Sequence, residues 1–263
     1  KKLNLGINIL KEKLSTGGIG LGFSVNYLRS PDVAAIANAC GYDWIKPDME
    51  HATYDIDMVS QMCMAALDVG CTPVVRVPGK QHFHASRILD GGAQGVIIPH
   101  VDSVEEAKAA VDWCKFPPIG HRSSPGPVPQ LSYAKYNLAD TMRLSNENIM
   151  VVIMLETWDA IQLADDIASL EGVDVLHIGS NDLSADMGIP GQYDHEKMIQ
   201  SFKIMTDACK KHGKIAGMGG IYDEENATRY IGMGCRFINA GGDLGFMTGG
   251  AQQRSAFLNS IKF

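Results

Sequence analysis

Short runs of apolar, often β-branched residues recur along the chain, and most are followed by a segment in which apolar residues repeat with helical period. Such short apolar runs, bounded by turn residues, are typical of buried strands. The pattern predicts strands at residues 18–25, 42–50, 73–78, 95–99, 149–155, 173–179, 214–218 and 236–240. It predicts helices at residues 30–40, 56–69, 81–89, 103–114, 133–144, 160–170, 195–211, 224–233 and 252–262.

The alternation of strand and helix predicts the fold class. Strands that alternate with helices form right-handed βαβ units around a parallel sheet. Eight such units in one domain, residues 1–263, favour a closed (β/α)8 TIM barrel over an open doubly wound sheet. A doubly wound fold would place a glycine-rich turn after the first strand, whereas the glycines of residues 18–22 lie inside it.

One irregular segment interrupts the alternation. Residues 117–132 are rich in Pro, Gly and Ser. Long loops of this kind in compact domains are usually lids over a functional site, or linkers. We therefore expect one of these two roles for this segment.

Composition excludes several classes of function. The chain has 263 residues, of which 45% are apolar and 20% charged, and its net charge is −7. The acidic balance argues against a nucleic-acid surface and fits a protein that meets small ligands. No apolar run reaches the roughly 18 residues of a membrane helix, and no signal peptide is visible. The six cysteines are scattered without zinc spacing, so free thiols in a cytoplasmic protein are expected.

Polar residues collect where the predicted strands end. In TIM barrels the active site lies at the carboxyl ends of the strands. The candidates at that end are Asp48, Glu50, His51, Arg76, His100, Glu156, Ser180, Asn181, Asp182 and Asp243. Acids, an arginine and a histidine gathered at one end of a barrel indicate a site more strongly than any single motif.

Glu156 and Asp182 follow consecutive predicted strands. Neighbouring strands of a sheet lie about 4.8 Å apart, so the two carboxylates could share one divalent cation. Two carboxylates with waters completing an octahedron suit Mg²⁺, Mn²⁺ or Co²⁺ rather than structural zinc. The alternative is that each acid only begins a helix, where the dipole favours it. Their occurrence as a pair favours the metal site.

Three further residues are candidates for catalysis. Arg76 lies in an apolar strand, and a buried guanidinium needs an anionic partner, either Asp48 or a substrate oxygen. His51 follows an acidic strand end and is a candidate general base. Asp90 ends a helix, where its charge opposes the dipole, which suggests that another group such as His51 holds it.

Lys46 lies two residues before Asp48 and therefore on the same side of its strand. A lysine that faces the barrel can form a Schiff base, but an ion pair with an inward acid is the expectation. His100 and His121 are candidates to line the pocket. His177 lies within a strand and is expected to be a hydrogen-bonded core residue.

A set of motifs occurs in order between about residue 20 and residue 245: Asp48-Met-Glu-His51, Val75-Arg76-Val-Pro78, Leu89-Asp-Gly-Gly-Ala-Gln-Gly-Val96, Pro117-Pro-Ile-Gly-His-Arg122, Leu155-Glu156-Thr157, Glu171-Gly-Val-Asp174 and Asp182-Leu-Ser-Ala-Asp-Met-Gly188. Together they resemble the HpcH/HpaI family, metal-dependent pyruvate aldolases that act on hydroxy-oxo acids. The resemblance implies a (β/α)8 barrel that usually forms a hexamer, a trimer of dimers that exchange the last helix.

The resemblance also implies a role for each candidate. Glu156 and Asp182 would bind the divalent metal, Arg76 would contact the pyruvate oxygen, and His51 would be the base, oriented by Asp90 or Asp48. The backbone at Gly179, Ser180 and Asn181 would receive the pyruvate carboxylate, as helix N-termini do for anions. The residues that depart from the family pattern, and so bear on the aldehyde partner, are Lys46, His100, His121, His177, Ser180 and Ser123.

We therefore expect a divalent-metal-dependent aldolase that cleaves 4-hydroxy-2-oxo acids to pyruvate and an aldehyde through a metal-stabilised enolate. Its expected partners are a small oxo acid, an aldehyde and further copies of itself, with neither nucleic acid nor membrane. The alternatives are a Schiff-base lyase using Lys46, a related decarboxylase or acyl lyase, and a non-catalytic barrel that binds an oxo acid.

Overall fold

The computed structural model describes residues 7–262 and contains a closed barrel of eight parallel strands. Neighbours in the barrel are neighbours in the chain, and the last strand pairs with the first. The predicted (β/α)8 barrel is thereby confirmed. The strands are β1 (Gly20–Val25), β2 (Trp44–Pro47), β3 (Thr72–Arg76), β4 (Gly95–Ile98), β5 (Met150–Leu155), β6 (Val175–Gly179), β7 (Ile215–Gly219) and β8 (Cys235–Gly242).

One helix, α1 (Ile9–Ser15), precedes the first strand, and the other helices follow the strands around the barrel. The others are α2 (Val33–Ala39), α3 (Ile56–Val69), α4 (His82–Asp90), α5 (Val104–Cys114), α6 (Leu138–Asn148), α7 (Trp158–Gln162), α8 (Ala164–Ala168), α9 (Ser180–Asp186), α10 (Glu196–His212), α11 (Glu224–Met233) and α12 (Asp243–Asn259).

Three predicted helices differ in extent. The helix expected at residues 133–144 is α6, which begins where Asn137 accepts a hydrogen bond from the backbone of Asp140. The helix expected at residues 160–170 is divided into α7 and α8 at Leu163. The helix expected at residues 252–262 begins at Asp243, so it is α12 and much longer than predicted.

Two short helices, α1 and α9, lie outside the predicted helix ranges. The side chain of Asn8 caps α1 by accepting from the backbone N–H of Lys11, and α1 buries Leu10 and Leu14. These two leucines belong to the apolar cluster inside the barrel, where Trp44 stacks on Phe237 with ring centroids 4.1 Å apart. A Cβ on Gly22 would lie 2.2 Å from the Trp44 ring, so β1 needs glycine to let the indole fill the interior.

A second, larger core lies between the strands and the surrounding helices. Within residues 7–262, no helix combines the length and apolarity needed to cross a bilayer. All six cysteines belong to this range, and none forms a disulfide, as expected. Below the site, the barrel is thus filled with side chains, which leaves the carboxyl ends of the strands as its open face.

Candidate active site

A cavity of about 770 Å³ opens at the carboxyl ends of the strands. Most residues singled out in the sequence line it, although their strands are far apart in the chain. They are Lys46, Asp48, His51, Arg76, Glu156, His177, Gly179, Ser180, Asn181, Asp182 and Asp243. The closed barrel therefore brings the acids and the guanidinium to one place.

Arg76 is held in a fixed orientation by two acids. Its Nε donates to Asp48 Oδ1 at 3.0 Å, its Nη2 donates to Asp48 Oδ2, and its Nη1 lies 2.9 Å from Glu50 Oε2. A forked guanidinium–carboxylate pair fixes the plane of the side chain as well as its position. The structural ion pair with Asp48 is thus present, and Arg76 lines the cavity at the same time.

Asp48 and Arg76 both remain charged at neutral pH. Burial opposes ionisation of Asp48, but the hydrogen bond from Arg76 and the charge of Lys46 dominate and lower the pKa of Asp48. Burial likewise opposes the charge of Arg76, yet its hydrogen bond with Asp48 and the charges of Asp48, Glu50 and Glu156 raise the pKa of Arg76. Arg76 is consequently a permanent cation on the cavity wall.

Glu156 has one satisfied oxygen and one that is not. Its Oε2 accepts the backbone N–H of His100 at 2.7 Å, whereas its buried Oε1 has no hydrogen-bond partner among the described residues. Gly179 makes room for it, since a Cβ there would lie 2.7 Å from Glu156 Oε1. Burial first, and then the charges of Asp182 and Glu50, raise the pKa of Glu156 against the effect of His100.

Asp182 lies in the first turn of α9, is exposed, and also lines the cavity. Glu156 has an unpartnered carboxylate oxygen, and burial and neighbouring carboxylates raise its pKa, which fits a site that a cation completes. Residues 7–262 contain no cluster of three or more His, Cys, Asp or Glu that could hold a metal. Two carboxylates with remaining positions open to water and substrate oxygens fit a hard octahedral cation, and they do not fit structural zinc.

The turn between β6 and α9 presents polar groups to the cavity. Ser180 is buried, and its Oγ has no hydrogen-bond partner among the described residues. Asn181 is exposed, and its Oδ1 accepts from the hydroxyl of Tyr193. Gly179, Ser180 and Asn181 therefore line the same cavity as Glu156 and Asp182.

His51 lines the cavity with its side chain 60% exposed, and its Nε2 lies 3.9 Å from Glu50 Oε2. Asp48 fixes the main chain there, because Asp48 Oδ1 accepts the backbone N–H of Glu50 at 3.1 Å and that of His51 at 3.3 Å. The imidazole is thus free to turn toward a ligand while its backbone is held.

The expected pairing of Asp90 with His51 is wrong within the described chain. Asp90 Oδ1 accepts from Arg122 Nη2 at 2.6 Å, and the Arg122 guanidinium lies over the Phe116 ring. Asp90 is not among the residues that line the cavity. The irregular loop after α5, which carries Arg122, is what satisfies this helix-end acid.

Two histidines fall in different places from those expected. His121 is 85% exposed and pairs with Asp112, away from the cavity. His100 has a positive φ of 53° and bridges two acids, with Nε2 2.8 Å from Glu50 Oε1 and Nδ1 3.3 Å from Glu156 Oε2. His100 thus links the Arg76 side of the site to the Glu156 side.

His177 is buried but is not hydrogen-bonded as expected, since its Nδ1 has no partner among the described residues. Its ring fits because the facing positions on β7 are glycines: a Cβ on Gly217 or Gly219 would lie 2.7 or 2.8 Å from a ring nitrogen. Burial, and then the charges of Lys46 and Arg76, lower the pKa of His177 to about 3. The imidazole is therefore neutral at physiological pH.

Two acids, Glu50 and Asp243, organise the site, although the sequence placed them only among the candidates at the strand ends. Glu50 contacts both Arg76 and His100, which belong to other strands. Asp243 is buried at the start of α12, and its Oδ2 accepts the backbone N–H groups of Asn26, Tyr27 and Leu28 at 2.7 to 3.1 Å. It thereby shapes the loop after β1. Its position at the end of the last strand was the only signal in the sequence.

Comparison with known sequences adds to this geometry. A family profile described as HpcH/HpaI aldolase/citrate lyase matches residues 26–248. The chain is 36% identical over 259 residues to 4-hydroxy-4-methyl-2-oxoglutarate aldolase tasA of Hapsidospora irregularis, covering 97% of this chain and 96% of that protein. It is 33% identical to 5-keto-4-deoxy-D-glucarate aldolase of Salmonella arizonae, covering 86% and 87%.

Comparison with solved structures points to the same family as the sequence comparison. The HpcH/HpaI aldolase of Desulfitobacterium hafniense superposes with a TM-score of 0.91 at 28% sequence identity, covering 96% of this chain and 97% of that one. An HpcH/HpaI aldolase/citrate lyase family protein of Burkholderia cenocepacia superposes with a TM-score of 0.86 at 28% identity, covering 96% and 100%. The whole barrel, and not a fragment of it, is shared.

Proposed function

The chain belongs to the HpcH/HpaI aldolase/citrate lyase family, and we propose that its cavity is the active site of a divalent-metal-dependent aldolase that cleaves 4-hydroxy-2-oxo acids to pyruvate and an aldehyde. The family profile and the aldolase relatives confirm two predictions made from the motifs: membership of this family and the activity of an aldolase-type carbon–carbon lyase. The residue roles that follow are the proposal.

Glu156 and Asp182 would hold the cation, and its identity among Mg²⁺, Mn²⁺ and Co²⁺ belongs to the proposal. The observation that carries the proposal is the buried, unpartnered Oε1 of Glu156, beside a glycine that leaves it space. Burial first, and then the charge of Asp182, raise the pKa of Glu156. When bound, the cation supplies positive charge next to the keto oxygen of the oxo acid, where negative charge develops.

Arg76 donates to that same oxygen from the β3 side. Its guanidinium is already oriented by Asp48 and Glu50, so little reorganisation is needed when charge develops on the substrate. The Oγ of Ser180 and the backbone at Gly179 and Asn181 would receive the substrate carboxylate. Ser180 Oγ is buried and unpartnered in the described structure, which supports that assignment.

His51 would take the proton from the 4-hydroxyl as the carbon–carbon bond breaks, directly or through one water. Its imidazole lines the cavity and makes no hydrogen bond among the described residues, while Asp48 holds its backbone. Asp48 is therefore the better supported of the two acids proposed to orient His51. Asp90, which pairs with Arg122, has no such contact within this chain.

The Schiff-base alternative is not favoured by the surroundings of Lys46. Its Nζ lies 3.6 Å from Asp48 Oδ2, which is the ion pair expected from the sequence. Burial first, and then the charge of Arg76, lower the pKa of Lys46 to about 8, which still leaves the amine mostly protonated at neutral pH. Borohydride treatment with pyruvate should therefore leave the mass of the protein unchanged.

We also propose an oligomer in which α12 is exchanged, a hexamer built from dimers. From residue 244 to residue 262 every side chain is exposed. The large apolar members are Leu244, Phe246, Met247, Phe257, Leu258 and Ile261. Leu21, Ile238 and Ala240 also line the cavity, and they belong to β1 and β8, between which the barrel closes.

The test of the function is release of pyruvate from a 4-hydroxy-2-oxo acid. Purified protein with Mg²⁺ or Mn²⁺ should release pyruvate and an aldehyde in equal amounts, EDTA should stop the release, and added metal should restore it. Release that is unaffected by EDTA would contradict the metal-dependent mechanism. Absence of release from every 4-hydroxy-2-oxo acid tried, with metal present, would contradict the function.

A further inference from the structure

The turn after β4 holds His100 in a conformation that most residues avoid. His100 has a positive φ of 53°, in the left-handed region, which is strained for a residue with a Cβ. Such a conformation persists only where the surrounding structure fixes it. The contacts of the two peptide groups beside the His100 Cα show what fixes this one.

The first of these peptide groups contacts Glu156. The N–H of His100 donates to Glu156 Oε2 at 2.7 Å, while the buried Oε1 has no hydrogen-bond partner within residues 7–262. Carboxylates that bind a metal are commonly oriented by hydrogen bonds from neighbouring groups. The turn at His100 therefore supplies the donor that engages one oxygen of Glu156 and leaves the other for the proposed cation.

The second peptide group contacts Lys80 of the loop between β3 and α4. Lys80 Nζ donates to the His100 carbonyl at 2.7 Å and to Glu106 Oε1 at 2.6 Å. Glu106 lies in the first turn of α5, and its Oε2 accepts the backbone N–H of Asp102 at 2.9 Å. Burial opposes the charge of Glu106, but the hydrogen bonds from Lys80 and from the Asp102 backbone lower the pKa of Glu106. Lys80 is thus oriented by a charged acid while it binds the carbonyl of the turn.

Neither Lys80 nor Glu106 reaches the site directly. Neither residue lines the cavity, and their side chains are 33% and 36% exposed. The charge of Lys80 is paired with that of Glu106, so its effect at a distance is small. An influence of Lys80 on the cation therefore passes through the conformation of His100.

We infer that Lys80 is a positioning residue for the metal site: together with Glu106 it holds the left-handed turn at His100, and this turn orients Glu156 toward the cation. The inference rests on the proposed function for the presence of a cation at Glu156. Without Lys80, the strained turn at His100 relaxes, and its N–H no longer orients Glu156. The cation is then bound more weakly, although neither of its protein ligands has been changed.

Titration of Mn²⁺ into the metal-free protein, with free Mn²⁺ measured by electron paramagnetic resonance, tests this without any turnover. Lys80→Met should raise the Kd for Mn²⁺ roughly tenfold, the lower end of the effect of losing an outer partner of a metal ligand. Lys203→Met is the matched control, because Lys203 is an exposed lysine that also pairs with an acid, Asp207 of α10. It should bind Mn²⁺ as the wild type does. Circular dichroism of the metal-free proteins checks that each is folded.

His100→Gly separates the conformation of the turn from the charge of Lys80. Glycine adopts positive φ without strain, so the turn then depends less on Lys80. In the His100→Gly background, Lys80→Met should therefore change the Kd for Mn²⁺ by less than about threefold. The same tenfold loss in both backgrounds would show that Lys80 does not act through the turn, and would overturn the inference.

Wild-type affinity for Mn²⁺ in a folded Lys80→Met variant would also overturn the inference, and would leave the cation site of the proposed function in place. A wild type that binds no Mn²⁺ would instead refute that cation site, and the positioning role with it. If Lys80→Met does not fold, Glu106→Gln removes only the charge that orients Lys80. It should raise the Kd for Mn²⁺ as well, and an unchanged Kd would count against the role of Lys80.

Discussion

Asp48 and Arg76 form a two-pronged pair across β2 and β3, with Arg76 Nε donating to Asp48 Oδ1 at 3.0 Å and Nη2 donating to Oδ2. The two residues are also register partners in an isolated bridge beyond the end of β2. The same carboxylate that orients the guanidinium also holds the backbone of Glu50 and His51. Asp48 therefore positions two proposed catalytic groups at once.

The forked geometry of the Arg76 guanidinium, and not only its charge, should matter for catalysis. Arg76→Lys keeps a cation but cannot make the planar pair with Asp48. We expect kcat/KM for pyruvate release to fall roughly 10²- to 10³-fold, as for loss of one donor to a developing oxyanion, with the circular dichroism spectrum unchanged. Arg143→Lys, at an exposed ion pair on α6, should stay within twofold of the wild type. A fully active Arg76→Lys variant would remove Arg76 from the mechanism.

Cation binding should depend on both carboxylates. A ligand at 100 times its Kd stabilises the folded state by about 2.7 kcal/mol, so saturating Mn²⁺ should raise the Tm of the wild type. Glu156→Gln and Asp182→Asn should each abolish most of that shift, because each removes a charged ligand. Glu225→Gln changes an acid that is 81% exposed, and Mn²⁺ should raise its Tm as much as that of the wild type. Equal shifts in all four proteins would place the cation elsewhere.

His177 should make the barrel sensitive to acid. Its pKa is lowered to about 3 from 6.5, so between these values the unfolded chain binds a proton that the folded protein does not. This contribution to stability is complete above pH 6.5 and is lost as the pH falls toward 3. Linkage gives a loss of roughly 2 kcal/mol between pH 7.5 and 5.

The comparison that isolates this effect is His177→Gln. Its free energy of unfolding in urea should fall less than that of the wild type between pH 7.5 and 5, by about 2 kcal/mol. His82→Gln changes an exposed histidine and should follow the wild type. If the free energy of unfolding changes with pH by the same amount in His177→Gln and the wild type, His177 is not held neutral by its surroundings.

The exposed apolar residues of α12 should control assembly. Phe257 and Leu258 are 56% and 47% exposed in the single chain, which is unusual for neighbouring large apolar side chains at a helix end. The double variant Phe257→Glu, Leu258→Glu should sediment as a smaller species than the wild type in analytical ultracentrifugation. Gln252→Glu adds a charge on the same helix without removing an apolar group and should leave the mass unchanged. If the double variant and Gln252→Glu both sediment as a smaller species, the added charge, and not the loss of apolar contact, disrupts assembly.

The barrel and the main site residues were predictable because both depend on local pattern. Apolar runs of strand length mark β1 to β8, and the rule that active sites lie at the carboxyl ends of strands selects Asp48, Arg76, Glu156 and Asp182 from the polar residues. α12 was mostly missed, since Gly245, Gly249 and Gly250 interrupt it and its exposed apolar residues do not form one face. α1 was missed because seven residues are too few for a periodic signal.

Partners that lie far apart in the chain were less predictable. The sequence shows that Asp90 opposes a helix dipole, but its partner Arg122 lies in an irregular loop whose path no periodicity fixes. Glu50 resembles any polar loop residue until Arg76 and His100 are brought beside it. The resemblance to the family pointed to the two carboxylates as the metal pair, whereas the unpartnered oxygen of Glu156 is visible only in three dimensions.

The most direct test of the central claim is anomalous scattering from a crystal soaked with Mn²⁺ and pyruvate. We predict one strong peak in the cavity, bonded to Glu156 Oε1 and the Asp182 carboxylate, with the pyruvate keto oxygen between the ion and the Arg76 guanidinium. A crystal that binds pyruvate with no ion between these two carboxylates, or with the ion bound elsewhere, would contradict this prediction.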